Sequence, residues 1–445
     1  MASTSDRAVS RRDDAYAYVW VWLPGAAEPV VAGRVQRRGN RYRFGYGRSY
    51  LDRPDAISLD TPELPLVSGW QEPTGGVPIA SALRDSGPDR WGQLVILEGF
   101  HGIRGRDADP GDLDQITYFL ESGSNRIGGL DFQSSPDTYI PRGTTATLDE
   151  LHAAADALQE GRPLSDELMA ALVRGTSVGG ARPKALMDVD GVPFIAKFSS
   201  PSDHYPVVNS EALAFEFARR VGIDAPRSFV TSSLGKEVLM VERFDREPGG
   251  KRRLVLSGLT MLRLDEMMAR YATYPDLLDV LRRDGADRHV GRKLFERVVF
   301  NVAVGNSDDH ARNHAAFWDG RNLDLTPAYD LCPQTRSGET SAQAMAFGRD
   351  GRRDSSFAAC LESCPVYGLT NSEARDIIDN QIDVIERDFS EVADLARLTE
   401  AQRNFLWRRQ VLNPFASYGY PHRTITAPDW KRSSKAAPPH YRAEE

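Results

Sequence analysis

One stretch limits what this chain can fold into more than any other. Asn306-Ser307-Asp308-Asp309-His310-Ala311-Arg312-Asn313 is followed, a short segment later, by Leu325-Thr326-Pro327-Ala328-Tyr329-Asp330. Asn313 stands five residues after Asp308 and a further Asp comes next, which is the spacing of a phosphoryl-transfer loop. In such chemistry the protein mainly positions an acceptor hydroxyl and neutralises phosphate charge, so one carboxylate faces the hydroxyl while other oxygens hold magnesium. Magnesium takes hard oxygen ligands and needs only one or two from protein. Asp308 is therefore the candidate catalytic residue, and Asn313 and Asp330 are the candidate metal ligands.

The flanks agree. Leu294, Val298 and Val302 form one stripe, with Phe295, Val299 and Ala303 beside it, so residues 291–304 predict a buried helix that Gly305 ends. After the loop, Asp319-Gly320 predicts a turn, and Leu323 alternates with Leu325 as a strand that delivers Asp330. His310 and His314 have the spacing of half a zinc site, but no cysteine pair or third ligand accompanies them, which favours loop packing.

Upstream, Arg174 to Lys184 contains Gly175, Gly179 and Gly180 and leads into a hairpin around Asp190-Gly191. Glycines there let backbone amides approach phosphate oxygens, with Ser177 and Lys184 among the added donors. The spacing matches neither Walker A nor GxGxxG. In the second hairpin strand, Val192 to Phe198, Lys197 is set among apolar residues and needs an anionic partner. Glu211, in the amphipathic segment 211–221, is the candidate. Val238 to Arg246 then reads as a buried strand running into charge. Its backbone around Glu242 and Phe244 is placed to meet adenine, and the plainer reading is a strand end beside a surface ion pair.

Ser177 to Lys184, Ile195 to Phe198, Glu242-Arg243-Phe244-Asp245-Arg246, Asn306 to Asn313 and Tyr329-Asp330-Leu331 together resemble the HipA family of toxin kinases. Ser86 to Gly92 and Asn125 to Leu130 extend the resemblance towards the N-terminus. It implies an ATP- and magnesium-dependent serine/threonine protein kinase, the toxin of a bacterial toxin-antitoxin pair. By position, Asp308 matches the family's catalytic base. Ser177, Val178, Gly179, Gly180, Lys197, Glu242, Phe244, His310, Asn313 and Asp330 match nucleotide-site positions, and Ser177 an autophosphorylated serine. The implied partners are a small helix-turn-helix antitoxin, DNA only through that antitoxin, and a translation-related protein substrate, an aminoacyl-tRNA synthetase being the best-known kind. Two other readings stand beside it: a small-molecule phosphotransferase, whose loops share this Asp-to-Asn spacing, and a repressor-complex subunit with weak catalysis.

Composition narrows the rest. A net charge of -8 argues against nonspecific DNA binding by the whole chain. Only Cys332, Cys360 and Cys364 are present, without a CxxC pair, which points to a reducing compartment and no structural zinc. No stretch has the length of a membrane span and residues 1–14 lack a signal-peptide core, so the expected location is the cytoplasm. The predicted architecture is α+β: a protein-kinase-like two-lobed fold with a small N-terminal β-rich module and a mostly helical C-terminal lobe. Its boundaries are a disordered start at 1–14, the module at 15–145, an N-lobe at 146–246, a helical lobe at 247–420 and a disordered tail at 421–445. Tyr16, Tyr18, Trp20 and Trp22 alternate along the first strand and are read as core. Helices are expected over 79–102, 148–159, 277–283, 371–389 and 399–412, with a mobile loop near the site at 334–357.

Overall fold

The computed structural model describes residues 15–421 apart from 103–108, 144–145, 176–181, 201–202, 337 and 339. The two expectations of disorder, over 1–14 and 421–445, therefore fall outside it except for residue 421, which has no regular structure.

The N-terminal module is built on β1 (Tyr16–Val21), β2 (Val30–Arg38), β3 (Arg41–Tyr46) and β4 (Leu130–Gln133), in the order β3-β2-β1-β4. Strand β1 alternates as expected, but the face turned to the main core carries Ala17, Val19 and Val21, not the aromatics. The aromatic face is a separate layer. Tyr16 is 42% exposed, while Trp20 and Trp22 lie under Tyr139 with ring centroids 5.5 and 5.3 Å away. The reason is polar. Each indole N–H needs an acceptor when buried, and carbonyls of Ser135 and Ala27 are available there at 3.3 and 3.1 Å.

The helical patterns expected over about 79–102 are the two helices Ser81–Asp85 and Arg90–His101, separated by Ser86-Gly87-Pro88. Asp89 starts the second by accepting a hydrogen bond from the Gly92 N–H, a standard N-cap. That helix leaves its own module. Trp91, Val95 and Ile96 join Leu151, Leu172, Phe194, Phe198 and Met240 in one apolar cluster.

The middle sheet, β5 (Lys184–Val189), β6 (Val192–Phe198), β7 (Ser228–Ser233) and β8 (Lys236–Glu242), is antiparallel in the order β5-β6-β8-β7. One face meets the helices Arg90–His101, Leu148–Gln159 and Asp166–Gly175. The helix Val207–Arg220 packs on β7 and β8 and also against Asn371–Leu395.

The C-terminal lobe surrounds the helix Val290–Val304, in which Leu294, Phe295, Val299 and Phe300 are wholly buried. Gly305 ends it at φ +76°, and a Cβ there would lie 2.5 Å from the Gln410 carbonyl oxygen. Both the left-handed backbone and the close approach demand glycine. The short sheet β11-β10-β9 is formed by Leu323–Leu325, Ala315–Trp318 and Leu254–Ser257. The long helix Asn371–Leu395, opened by a Thr370/Glu373 capping box, outruns the expected 371–389. It touches both Val290–Val304 and Val207–Arg220 and so braces the two lobes.

Two expectations change here. The helix expected over 399–412 is only Glu400–Leu406. Arg408 and Leu412 then take left-handed backbone, and the Leu412 N–H donates to the Ala303 carbonyl at 2.7 Å. The segment 334–357 does lie beside the site, with the Ala344 N–H donating to the Ser307 carbonyl, yet Met345, Ala346 and Phe347 are buried. Those apolar residues anchor it to the lobe.

Gly305→Ala should lower unfolding free energy by at least about 2 kcal/mol, combining left-handed strain with the carbonyl clash. Equilibrium urea unfolding of the two proteins measures this.

Candidate active site

The loop after Val290–Val304 is held from beneath by Asp309. One carboxylate oxygen of Asp309 receives hydrogen bonds from the Tyr274 hydroxyl and from Asn301 Nδ2 at 2.8 Å, and lies 2.9 Å from His314 Nε2. Asn306 reaches back to Asn301 Oδ1 at 3.0 Å. All of these side chains are buried. With Asp309 committed inwards, its neighbour Asp308 is exposed, and its carboxylate has no hydrogen bond or ion pair among the described residues.

Asn313 follows in a single 3-10 turn, Ala311–Asn313, and its Nδ2 donates to the Asp308 carbonyl at 3.3 Å. The amide oxygen is thereby left for another partner. His310 keeps a buried Nδ1 with no hydrogen bond among the described residues. His314 is bound to Asp309, so the two histidines do not form half a metal site. Among the described residues no group of three or more His, Cys, Asp and Glu is arranged to hold a metal. Asn313 and Asp330 carry oxygens of the hard kind that magnesium takes, so the residues present are compatible with that ion.

Asp330 arrives from β11 with φ +57°, a left-handed conformation that Asp tolerates better than most residues. The Tyr329 hydroxyl donates to the Arg312 carbonyl at 2.7 Å and ties this turn to the loop. Asp330 Oδ1 is 2.8 Å from Lys197 Nζ, and the same ammonium pairs with Glu211. Lys197, Glu211 and Asp330 thus join β6, the helix Val207–Arg220 and the C-terminal lobe. The Lys197 charge draws the Asp330 carboxyl down to about 2, against the opposing effect of burial. Burial disfavours the Lys197 ammonium, but Asp330 and Glu211 outweigh it and its pKa rises. Burial lifts the Glu211 pKa in spite of Lys197.

The segment after β8 departs from the surface reading. Arg243 and Asp245 are buried, and the Asp245 carboxylate receives Arg243, Arg246 and the Gly128 N–H. Arg243 and Arg246 also donate to the Arg126 carbonyl, so this network joins the segment to the N-terminal module. The Glu242 carboxylate instead points to solvent beside Arg227 at 2.8 Å, away from the Lys197 cluster. The Glu242 and Arg243 N–H groups are committed to Arg227 and Pro193 carbonyls. Phe244 meets Phe317 edge to face and Tyr329 at a tilt, linking the lobes. Ser177, Val178, Gly179 and Gly180 lie outside the described residues.

Asp309, Asn301 and Tyr274 were not singled out from the sequence. The adjacent pair Asp308-Asp309 was the available signal, since two neighbouring acids in one loop cannot both be buried without a partner for each.

A sheet lobe whose strand lysine pairs with a helix glutamate, facing a helical lobe that supplies an Asp-to-Asn loop and a further Asp, is a protein-kinase-like fold. More particularly, residues 176–389 match the model of the HipA-like C-terminal domain. Two Sinorhizobium fredii proteins are similar: "Putative kinase Y4mE", 28% identical over 167 residues, and "Putative kinase Y4dM", 27% identical over 158 residues. These matches take in 35% and 29% of this chain and only 38% and 35% of the two relatives. Among solved structures, HipA from Shewanella oneidensis MR-1, determined with HipB and operator DNA, superposes with a TM-score of 0.65 at 17% identity, over 90% of this chain and 97% of that one. The overall fold, N-terminal module included, is therefore shared.

Because the folded Asp330 pKa lies below the ordinary 3.8, its pairing stabilises the fold above that ordinary value and is lost as pH falls through about 2. In metal-free protein, carboxyl-detected NMR should find Asp330 titrating near 2. Lys197→Met should move the titration upwards. Asp309→Asn, which breaks a buried hydrogen-bonded hub, should cost about 3 kcal/mol in urea unfolding.

Proposed function

We propose that the chain is an ATP- and magnesium-dependent serine/threonine protein kinase acting as the toxin of a toxin-antitoxin pair. The observation that carries this is the division of labour among the acids. Asp309 is buried as an anchor, Asp308 is exposed and uncommitted, and Asp330 is held ionised against Lys197. Asp308 then takes the proton of the acceptor hydroxyl, and Lys197 holds the nucleotide phosphates with Glu211 fixing its position. Asn313 and Asp330 would ligate magnesium, which when bound neutralises phosphate charge. Phe244 is suited to the adenine end, because its N–H makes no hydrogen bond among the described residues. His310 is assigned to the nucleotide site, with Glu242, on the sequence resemblance.

Ser177 is assigned as an autophosphorylation site, and with Val178, Gly179 and Gly180 as the phosphate-facing loop, on the sequence resemblance. Two added negative charges there would repel a nucleotide and switch the enzyme off. A HipB-like antitoxin is the proposed partner, with DNA reached only through it, in line with the net charge of -8. The substrate is a protein concerned with translation, and the setting is the cytoplasm. No helix among the described residues is long and apolar enough to cross a membrane.

Intact mass before and after ATP and magnesium, on phosphatase-treated protein, tests the chemistry. Wild type should gain phosphate, Ser177→Ala should gain none at that site, and Asp308→Asn should transfer at least about 100-fold more slowly while keeping its circular dichroism spectrum. Undiminished transfer by a folded Asp308→Asn protein would refute the assignment.

A further inference from the structure

Asp89 belongs to the N-terminal module, well outside the matched domain at 176–389, yet it reaches the phosphotransfer face. One carboxylate oxygen caps the helix Arg90–His101 through the Gly92 N–H at 2.8 Å. The other lies 3.1 Å from Lys184 Nζ, and both side chains are 4% exposed. Lys184 begins β5 and stands directly opposite Lys197 on β6, so the two ammonium groups project from one face of the sheet.

Like charges directly opposite one another destabilise a sheet, and burial adds to the cost. Burial lowers the Lys184 pKa and the Lys197 charge lowers it further, while Asp89 and Asp330 act in the other direction. Burial in turn raises the Asp89 pKa, which Lys184 and, more distantly, Arg312 of the catalytic loop oppose. An apolar residue in place of Lys184 would suit the sheet better. A pair of lysines on this face suits a polyanion brought to it, provided something fixes the second lysine.

We propose that Asp89 is a positioning residue of the phosphotransfer site: it holds the Lys184 ammonium beside Lys197, so that the phosphates of a bound nucleotide meet two lysines, one of them set by the N-terminal module. The inference rests on the kinase reading above. It makes the module part of the nucleotide site, and the matched domain alone lacks the acid that anchors Lys184.

Calorimetric titration of the full chain with MgATP and, separately, with adenosine tests it. Asp89→Asn is the informative variant because Asn still caps a helix while the charge is removed. ATP should bind about tenfold more weakly to Asp89→Asn, the scale of one charged hydrogen bond, with adenosine affinity unchanged. Lys184→Met should behave alike, and the double variant should be little worse than either. Unchanged ATP affinity in both single variants overturns the proposal, as does a parallel loss of ATP and adenosine binding, which would make the pair a structural link only. Wild-type protein that binds neither compound overturns the kinase reading itself, an outcome distinct from both.

Discussion

Lys197 is the point on which the two lobes agree. Its ammonium sits in a mostly apolar strand and cannot remain there charged without compensation, and the compensation comes from two separate elements. Glu211 reaches it from the helix Val207–Arg220, and Asp330 from the turn after β11. Neither carboxylate is neighbouring in sequence, so the contact exists only when the sheet, its helix and the helical lobe are all in register. Around it the fold adds rigid supports: the Asn371–Leu395 helix packs on both lobes, and the buried Arg243, Asp245 and Arg246 network fastens the connection between lobes to the N-terminal module. Such a network is stable only when every charge has its partner. Here Asp245 is held ionised because Arg243 and Arg246 outweigh the effect of burial.

Much of this was legible in the chain, and for identifiable reasons. The Val290–Val304 helix is announced by its stripe and by Gly305, and the lysine, glutamate, asparagine and aspartates of the site have functional group chemistry that constrains their spacing. The parts that were not legible depend on what packs where. Strand β1 alternates cleanly, but alternation alone does not say which face meets the larger core, and the need of Trp20 and Trp22 for carbonyl acceptors decided it. The charged run Glu242 to Arg246 looks like surface because its partners Asn125, Arg126 and Gly128 are more than a hundred residues away. The helix expected over 399–412 ends early because Leu412 is claimed by the Ala303 carbonyl, a tertiary bond with no local sign.

The N-terminal module is more than an appendage. Its helix Arg90–His101 fills the apolar cluster over β5 and β6, its Asp85 accepts from the Ser257 N–H and hydroxyl, and its Gly128 donates to Asp245. These contacts touch the sheet lobe, the helical lobe and the segment joining them. Any partner that displaces the module changes the support beneath all three at once.

The pairing of Asp308 with Asp309 has a consequence for how this loop can change over time. Asp309 is an inward anchor and Asp308 before it faces out, and the two roles are assigned by position along the backbone and by nothing in the acids' own chemistry. Gly305, fixed against Gln410, sets the count. An insertion or deletion of a single residue between Gly305 and Asp308 would present the wrong acid to each side. The loop is therefore locked in length as well as at its anchoring residues.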